Sequence, residues 1–434
     1  MNTDQQGRAA GMGAALARTV ATAAAGLAAV GLTVAAAPAP LKSQMAQHQF
    51  LQQHMANTRA WKPMFMVKPP GAYRMARRAL LAANPPGVTV PYWSTQITSP
   101  LDGQTYNVSM IGSSPYAPTP TNTNVTYVPV VLRIHLSGFV IDPTAVSHCD
   151  SQSAARRFFN SPIFRPTVVN SNGVNVSAVP GGTQLISAFQ RANFWNAVKG
   201  TAYGVTLVPS RLSPIVVDWS PTNPTDFVAG VSDNCGGVVP VPVVEINEFD
   251  TELQAIAAAY AHPNQVPVTL SVDTAIYIGT TSNCCVLGYH NAIPSADATG
   301  TQLYATGAYF DTNAVFGPTF ADTTIWTHEL AEMFDDPFVQ NISGIPGGVN
   351  NDLTPAWGHT GQQGGCQNNL EAGDPLTPNQ FGNYPNFPVP GVGGFTYHQQ
   401  DLPFHDWFYR TPSSSTGGKY SMKGIFTAVQ GVCS

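Results

Sequence analysis

Thr327-His328-Glu329-Leu330-Ala331-Glu332-Met333-Phe334-Asp335-Asp336-Pro337 closes a segment that reads as a helix inside a chain otherwise rich in strand signals. Asp322 or Thr323 can cap its start, the helical pattern runs from Thr324 to about Asp335, and Pro337, with its restriction on Asp336, ends it. Trp326, Leu330, Met333 and Phe334 fall on one apolar stripe, which predicts a face packed into the core. His328 and Glu332 lie four residues apart, so their side chains project about 40° from each other and can hold one ion between them. Asp335 and Asp336 sit at the C-terminal end, where the helix dipole disfavours anions, and no lysine follows at helical spacing to compensate.

The surroundings sharpen this reading. Between Arg211 and Arg410 there is no lysine or arginine, yet the interval carries 20 Asp and Glu. Carboxylates buried there have no cationic side chain of their own segment to pair with. They need a bound metal or a raised pKa, and a His and Glu at ligand spacing make a divalent cation the leading candidate. The imbalance extends over most of the chain: residues 1–78 hold nine of the 19 basic residues and one acid, leaving ten basic against 23 acidic residues in 79–434. A body this acidic lacks the basic patch that nucleic acid requires.

With 43% hydrophobic and 10% charged residues, 39 Gly and 37 Pro in 434 residues, the chain reads as globular, loop-rich and built of short strands. Strands are expected at Thr105–Ile111 after an Asp102-Gly103 turn, at Val125–Leu136, Val205–Val208, Ile215–Trp219 and Val241–Ile246, and then at Val266–Val272, Ala275–Gly279 and Leu303–Phe310. Helices are expected at Ser153–Asn160, Thr183–Val198 and Thr251–Tyr260, the last capped by Asp250. The fold class is therefore α+β: a mixed sheet with the His328 helix and long Gly/Pro-rich loops, in a single domain over 91–434. About seventy residues after Pro337 are dominated by Gly, Pro, Asn and Gln, long enough to suggest a functional surface held by ligands or disulfides.

The helix motif resembles the H-E-x-x-H helix of zinc peptidases, in which two ligands sit at i and i+4 and the Glu between them takes the proton of the attacking water. Here Glu332 stands at the second ligand position, which admits Ca²⁺ or Mn²⁺ as alternatives to Zn²⁺. The downstream Asn369-Leu370-Glu371-Ala372-Gly373-Asp374-Pro375 is similar to the ligand loop of thermolysin-like peptidases. That resemblance implies Glu371 as the third ligand and Asp374 as the partner that orients His328, roles the two acids could exchange, with Asp336 supporting them. His328-Glu329-Leu330-Ala331-Glu332 with Asp336-Pro337, Glu371-Ala372-Gly373-Asp374 and Cys285-Val286-Leu287-Gly288-Tyr289-His290 also resembles the plant EXORDIUM-like (phosphate-induced) family and secreted bacterial relatives. That likeness implies an exported, cell-surface or extracellular protein.

Arg8 and Arg18 followed by an Ala-rich uncharged run read as a signal peptide over 1–37, with a weakly apolar membrane anchor as the alternative, and no later segment is suited to crossing a membrane. Residues 38–90 read as a linker or pro-segment whose Arg74, Arg77 and Arg78 can face the acidic domain. Six cysteines without a C-x-x-C pair suit disulfides in an exported chain, and the adjacent Cys284 and Cys285 are expected to reach separate partners or leave one thiol free. Other candidates are His290, His359, His398 and His405, with Tyr384 and Tyr397 as possible oxyanion stabilisers; each is more often structural. The expectation is an exported zinc-dependent metallopeptidase-like hydrolase. His328, Glu332 and Glu371 hold the metal and Glu329 serves as base on a peptide or cell-wall substrate. The alternative is a non-catalytic extracellular binding or signalling protein with a structural cation.

Overall fold

A computed structural model describes residues 44–58, 61–66, 90–117, 122–136, 138–178, 180–219, 223–233, 235–260, 264–294, 301–311, 315–338, 357–362, 365–377 and 386–433. The expected signal peptide, 1–37, and Arg74, Arg77, Arg78 and Tyr384 lie outside them. In chain order the elements begin with α1 (Gln44–Gln53), β1 (Met64–Met66), β2 (Tyr92–Thr98), β3 (Thr105–Ile111), β4 (Asn122–Leu136), β5 (Phe139–Ile141), α2 (Ala154–Phe159), β6 (Asn170–Ser171) and β7 (Val174–Asn175). Next come α3 (Leu185–Asn193), α4 (Trp195–Val198), β8 (Gly204–Pro209), β9 (Ile215–Val217), β10 (Phe227–Ser232), β11 (Val238–Glu245), α5 (Ile246–Tyr260), β12 (Gln265–Val272) and β13 (Ala275–Ile278). The chain continues through β14 (Thr280–Pro294), β15 (Thr301–Tyr309), α6 (Thr324–Asp335), β16 (His359–Thr360), β17 (Cys366–Gln367), β18 (Asn386–Pro390), β19 (Thr396–Gln400) and α7 (His405–Tyr409).

The protein is α+β. Its main sheet has 11 strands in the order β10-β11-β13-β14-β15-β12-β4-β5, with β1 added to β14 and both β8 and β9 to β4. The sheet is mixed: β15, β12 and β4 run parallel, whereas β14 is antiparallel to both β13 and β15. Helix α6 lies over β14 and β15 and also touches β19. Its Trp326, Leu330, Met333 and Phe334 join Phe158, Phe189 and Leu270 in the largest core cluster, and Ile325 joins Leu287, Ala308 and Phe65 in another. A third cluster sets Phe249, Leu253 and Ile256 of α5 against Val286, Tyr289 and Ile293 of β14. Side chains of β14 thus alternate between a face toward α6, which takes His290 and Ala292, and a face toward α5, which takes Tyr289 and Ile293. All twelve residues of α6 are buried, so it is enclosed on every side and not only along the stripe of Trp326 and Leu330.

Several sequence expectations are refined. The single helix expected over Thr183–Val198 breaks at Phe194, whose backbone (φ −104, ψ 32) separates α3 from α4. Helix α5 starts earlier than Thr251 because Glu245, not Asp250, accepts its free N–H groups: Glu245 Oε2 takes Asn247 N at 2.7 Å and Glu248 N at 3.2 Å. Asp250 instead lies inside the helix, buried, with Gln254 Nε2 donating to its Oδ2 at 2.6 Å. At α6 neither Asp322 nor Thr323 supplies a side-chain cap, and Thr323 O instead accepts Thr327 N at 2.9 Å. The long strand β14 has no counterpart among the expected elements.

Cys284 and Cys285 bridge each other, contrary to expectation; the cis peptide between them brings their Cα atoms to 3.0 Å. The other pairs are Cys149 with Cys235 and Cys366 with Cys433. Among the described residues no helix is long and apolar enough to cross a membrane.

Ala39–Ser434 is one compact unit, and part of the stretch expected as linker or pro-segment is built into it. Leu51 (5% exposed) and Phe65 (3% exposed) enter core clusters, and α1 runs beside β10, where Gly230 N donates to His54 O at 2.9 Å. The physical reason is apolar burial: a solvated tether leaves such side chains in water, at a cost of roughly 1.5 to 3 kcal/mol for each large one.

Candidate metal centre

Helix α6 carries three of the expected residues into the interior side by side. His328 and Glu329 are 0% exposed and Glu332 is 1% exposed. The loop after β17 brings Glu371 (2%) and Asp374 (3%) against them, and β14 contributes His290 (0%). His328 Nε2 lies 2.9 Å from Glu332 Oε1 and 3.4 Å from Asp374 Oδ1, while His290 Nε2 lies 3.4 Å from Glu371 Oε2. Two ligands bonded at about 2.1 Å to one tetrahedral ion stand about 3.4 Å apart, so these spacings suit donors that face a shared cation. His328 Nε2, both oxygens of Glu329 and Glu371 Oε1 are buried without a hydrogen-bond partner.

Which nitrogen of His328 is turned to the carboxylates follows from Gln400. Its Nε2 donates to Gly373 O at 2.6 Å and to Leu376 O at 3.1 Å, so its Oε1 must be the atom that meets His328 Nδ1 at 2.8 Å. Nδ1 therefore carries a proton, and Nε2 is the nitrogen turned to the carboxylates, the one a metal would take. The orienting position assigned by resemblance to Asp374 is thus filled by Gln400, and Asp374 stands on the ligand side of the ring. Asp336, expected in support, is buried at the end of α6 and close enough for its charge to act on Glu371.

Backbone makes room for the cluster at two glycines. A Cβ at Gly373 would lie 2.1 Å from His328 Nδ1, and one at Gly288 would lie 2.8 Å from Glu329 Cγ. Gly373 also donates its N–H to Glu332 Oε1 at 3.0 Å.

Electrostatics reflect acids crowded without cations. Burial, reinforced by Glu332, Asp336 and Asp374, holds Glu371 well above the usual carboxyl range. Burial likewise raises Glu329; the His328 imidazole opposes it and Glu332 and Asp374 add to it. Burial alone would depress His328, but Glu332, Asp374 and Glu329 outweigh that and hold it well above the usual imidazole value. His290, for which burial prevails, is lowered to about 4. Among the described residues these acids have only histidines as ionic partners. The buried Arg191 donates instead to backbone carbonyls, of Val176 at 2.6 Å and Thr201 at 3.2 Å.

Among the described residues the buried groups with ligand spacing are His290, Glu332 and Glu371 on one side and His328, Glu329 and Glu332 on the other. These donors could hold a divalent ion, and Glu332 belongs to both groups. The expected trio His328, Glu332 and Glu371 is therefore divided between them. Cys149, Asp233 and Cys235 also converge, but their sulfurs are joined in a disulfide. The other candidate histidines are engaged elsewhere: His359 Nε2 with Asn369 O at 2.7 Å and His398 Nδ1 with Asp322 at 2.6 Å, while His405 Nε2 lies 3.4 Å from Asp335. Tyr397 donates to Arg157 O at 2.8 Å.

One further contact bears on access. The Phe65 ring stacks on the His328 imidazole with centroids 3.6 Å apart. Its strand β1 pairs in parallel with β14 at Val286 and Tyr289, and the Gln362 amide closes on the Phe65 backbone, accepting from its N–H at 2.7 Å and donating to its carbonyl at 2.8 Å.

No protein-family model, curated protein or solved structure matches this chain.

Proposed function

We propose that the protein is an exported metal-dependent hydrolase of peptide or related amide bonds, with a zincin-like arrangement on α6. The observation that carries this reading is the buried Nε2 of His328, 2.9 Å from Glu332 Oε1 and turned to carboxylates alone, with the unpartnered carboxylate of Glu329 beside it. A divalent cation held there supplies Lewis acidity toward a carbonyl oxygen and toward water. His328 and Glu332 hold it, supported by Gln400 through Nδ1, and the acidic loop of Glu371 and Asp374 completes the donor set. Glu329 is the base that takes the proton of the attacking water and later passes it to the leaving amine. Nitrogen and carboxylate donors suit Zn²⁺ or Mn²⁺. The three disulfides and the likeness of the H-E-x-A-E, D-P and E-x-x-D elements to EXORDIUM-like proteins support export.

The contacts of β1 support an extended peptide as the substrate class. Strand addition to β14 and a side-chain amide gripping the backbone are the means by which proteins hold extended chains irrespective of sequence. On this reading the chain's own Phe65 segment occupies the place of substrate, and turnover requires its release. The stacking of Phe65 on His328, with Glu329 also buried, favours a second reading, in which the cation is structural, Ca²⁺ included, and the protein binds without catalysing.

Glu329→Gln separates the two. The catalytic reading expects hydrolysis of a broad peptide library to fall at least about 100-fold with metal content unchanged. Equal turnover by variant and wild type, or none by the wild type after release of 39–66, would refute it.

A further inference from the structure

The donors around Glu332 are too many and too spread for one ion. Ligand atoms bonded to a single tetrahedral cation lie about 3.4 Å apart on every edge, and four such donors form one group. Here the buried donors separate into two groups of three, each with its atoms within 4.8 Å, and the two histidines fall in different groups. His328 approaches from α6 with its Nε2, and His290 approaches from the α6 face of β14. Glu332 is common to both, and its two oxygens allow it to bridge.

Charge points the same way. Glu329, Glu332, Glu371 and Asp374 are each 3% exposed or less, and none of their ionic partners among the described residues is a lysine or arginine. A cation in each of the two groups would lie beside Glu329, Glu332 and Glu371. Buried atoms without a hydrogen-bond partner lie on both sides: His328 Nε2 and the Glu329 oxygens on one, Glu371 Oε1 and His290 Nδ1 on the other.

We infer that the centre is dinuclear, with two divalent cations bridged by the Glu332 carboxylate. His328 Nε2, with Asp374 Oδ1 3.4 Å from it, would complete the first site, and His290 and Glu371 the second. Glu329, although within ligand range of His328 and Glu332, is assigned as the base and not as a ligand. Cations bridged in this way stand about 3.5 to 4 Å apart, the separation at which two metals share one attacking oxygen. The inference rests on the metal-centre reading above and adds a second ion to it.

Full-length protein, stripped with chelator and dialysed, is titrated with Zn²⁺ and with Mn²⁺, and bound metal is counted by atomic emission. Two ions per chain are expected for the wild type, and one each for His290→Ala and His328→Ala. The Mn²⁺-loaded wild type should give the spin-coupled electron paramagnetic resonance signal of a bridged pair, a readout that depends on no variant folding. One ion per chain with an isolated Mn²⁺ signal would overturn the dinuclear inference while leaving a single-metal centre standing. No bound ion would overturn both.

Discussion

Replacing Phe65 by alanine tests whether the N-terminal strand is part of the working centre. The ring is 3% exposed, stacks on His328 and packs in the cluster of Leu287, Phe320 and Ile325. Truncating a buried phenylalanine costs about 3 to 5 kcal/mol in transfer and cavity terms. That loss falls on a short segment. Residues 61–66 hold the strand through its pairing with β14 and two hydrogen bonds to Gln362, the latter contributing about 0.5 to 1.5 kcal/mol each, while ordering each residue costs about 1 to 2 kcal/mol. The bonds left in Phe65→Ala do not offset that ordering cost, so β1 should undock. If undocking is coupled to global unfolding, an unfolding entropy of about 2.1 cal/mol/K per residue over the 315 described residues converts 3 to 5 kcal/mol to about 4.5 to 7.5 °C in Tm. If it is local, Tm moves less and the Phe65 amide loses its protection. Calorimetry and amide hydrogen exchange distinguish these cases, and peptide turnover should rise where undocking is local. A loss below about 0.5 kcal/mol with unchanged exchange would mean that the contacts of Phe65 carry nothing, and the reasoning about β1 would fail.

Two further outcomes are expected. Gln400→Leu removes the acceptor that fixes the His328 tautomer, so metal affinity measured by competition with a chelating dye should fall about 10- to 100-fold. Asp401, buried and pushed up to about 6 by desolvation, holds its proton in the folded protein more tightly than in the unfolded chain. Its stabilising contribution is present below pH ~4 and is lost as pH rises to ~6, about 2 to 3 kcal/mol in all, so Asp401→Asn should flatten the fall of Tm across that window.

The helix of the centre was legible because its signals are local: the ligand spacing of His328 and Glu332, the stop at Pro337 and the missing lysines all lie in one reach of chain. Most strands announced themselves through β-branched runs such as Val125–Leu136. What escaped depends on tertiary placement. β14 contains two adjacent cysteines and Gly288, which weaken a strand pattern, and so the two-residue period that turns His290 toward α6 went unread. His290 itself was visible only as the end of a Gly-x-His element. Gln400 gives no sequence signal, since its role follows from two carbonyls, those of Gly373 and Leu376, that the fold brings to its amide. Glu245 caps α5 across a strand-to-helix junction where Asp250 looked equally suited. Phe65 sits among Gln- and Met-rich neighbours and resembles tether until β14 pairs with it.

The central claim is that an imidazole from α6 and carboxylates from α6 and the later loop converge on a bound cation. Crystals of the full chain grown with Zn²⁺, with diffraction recorded on both sides of the zinc absorption edge, test it directly. The account expects an anomalous peak within about 2.3 Å of both His328 Nε2 and a Glu332 oxygen. A map with zinc only on exposed histidines such as His54 or His148, and with Nε2 of His328 hydrogen-bonded straight to Glu332, would contradict it.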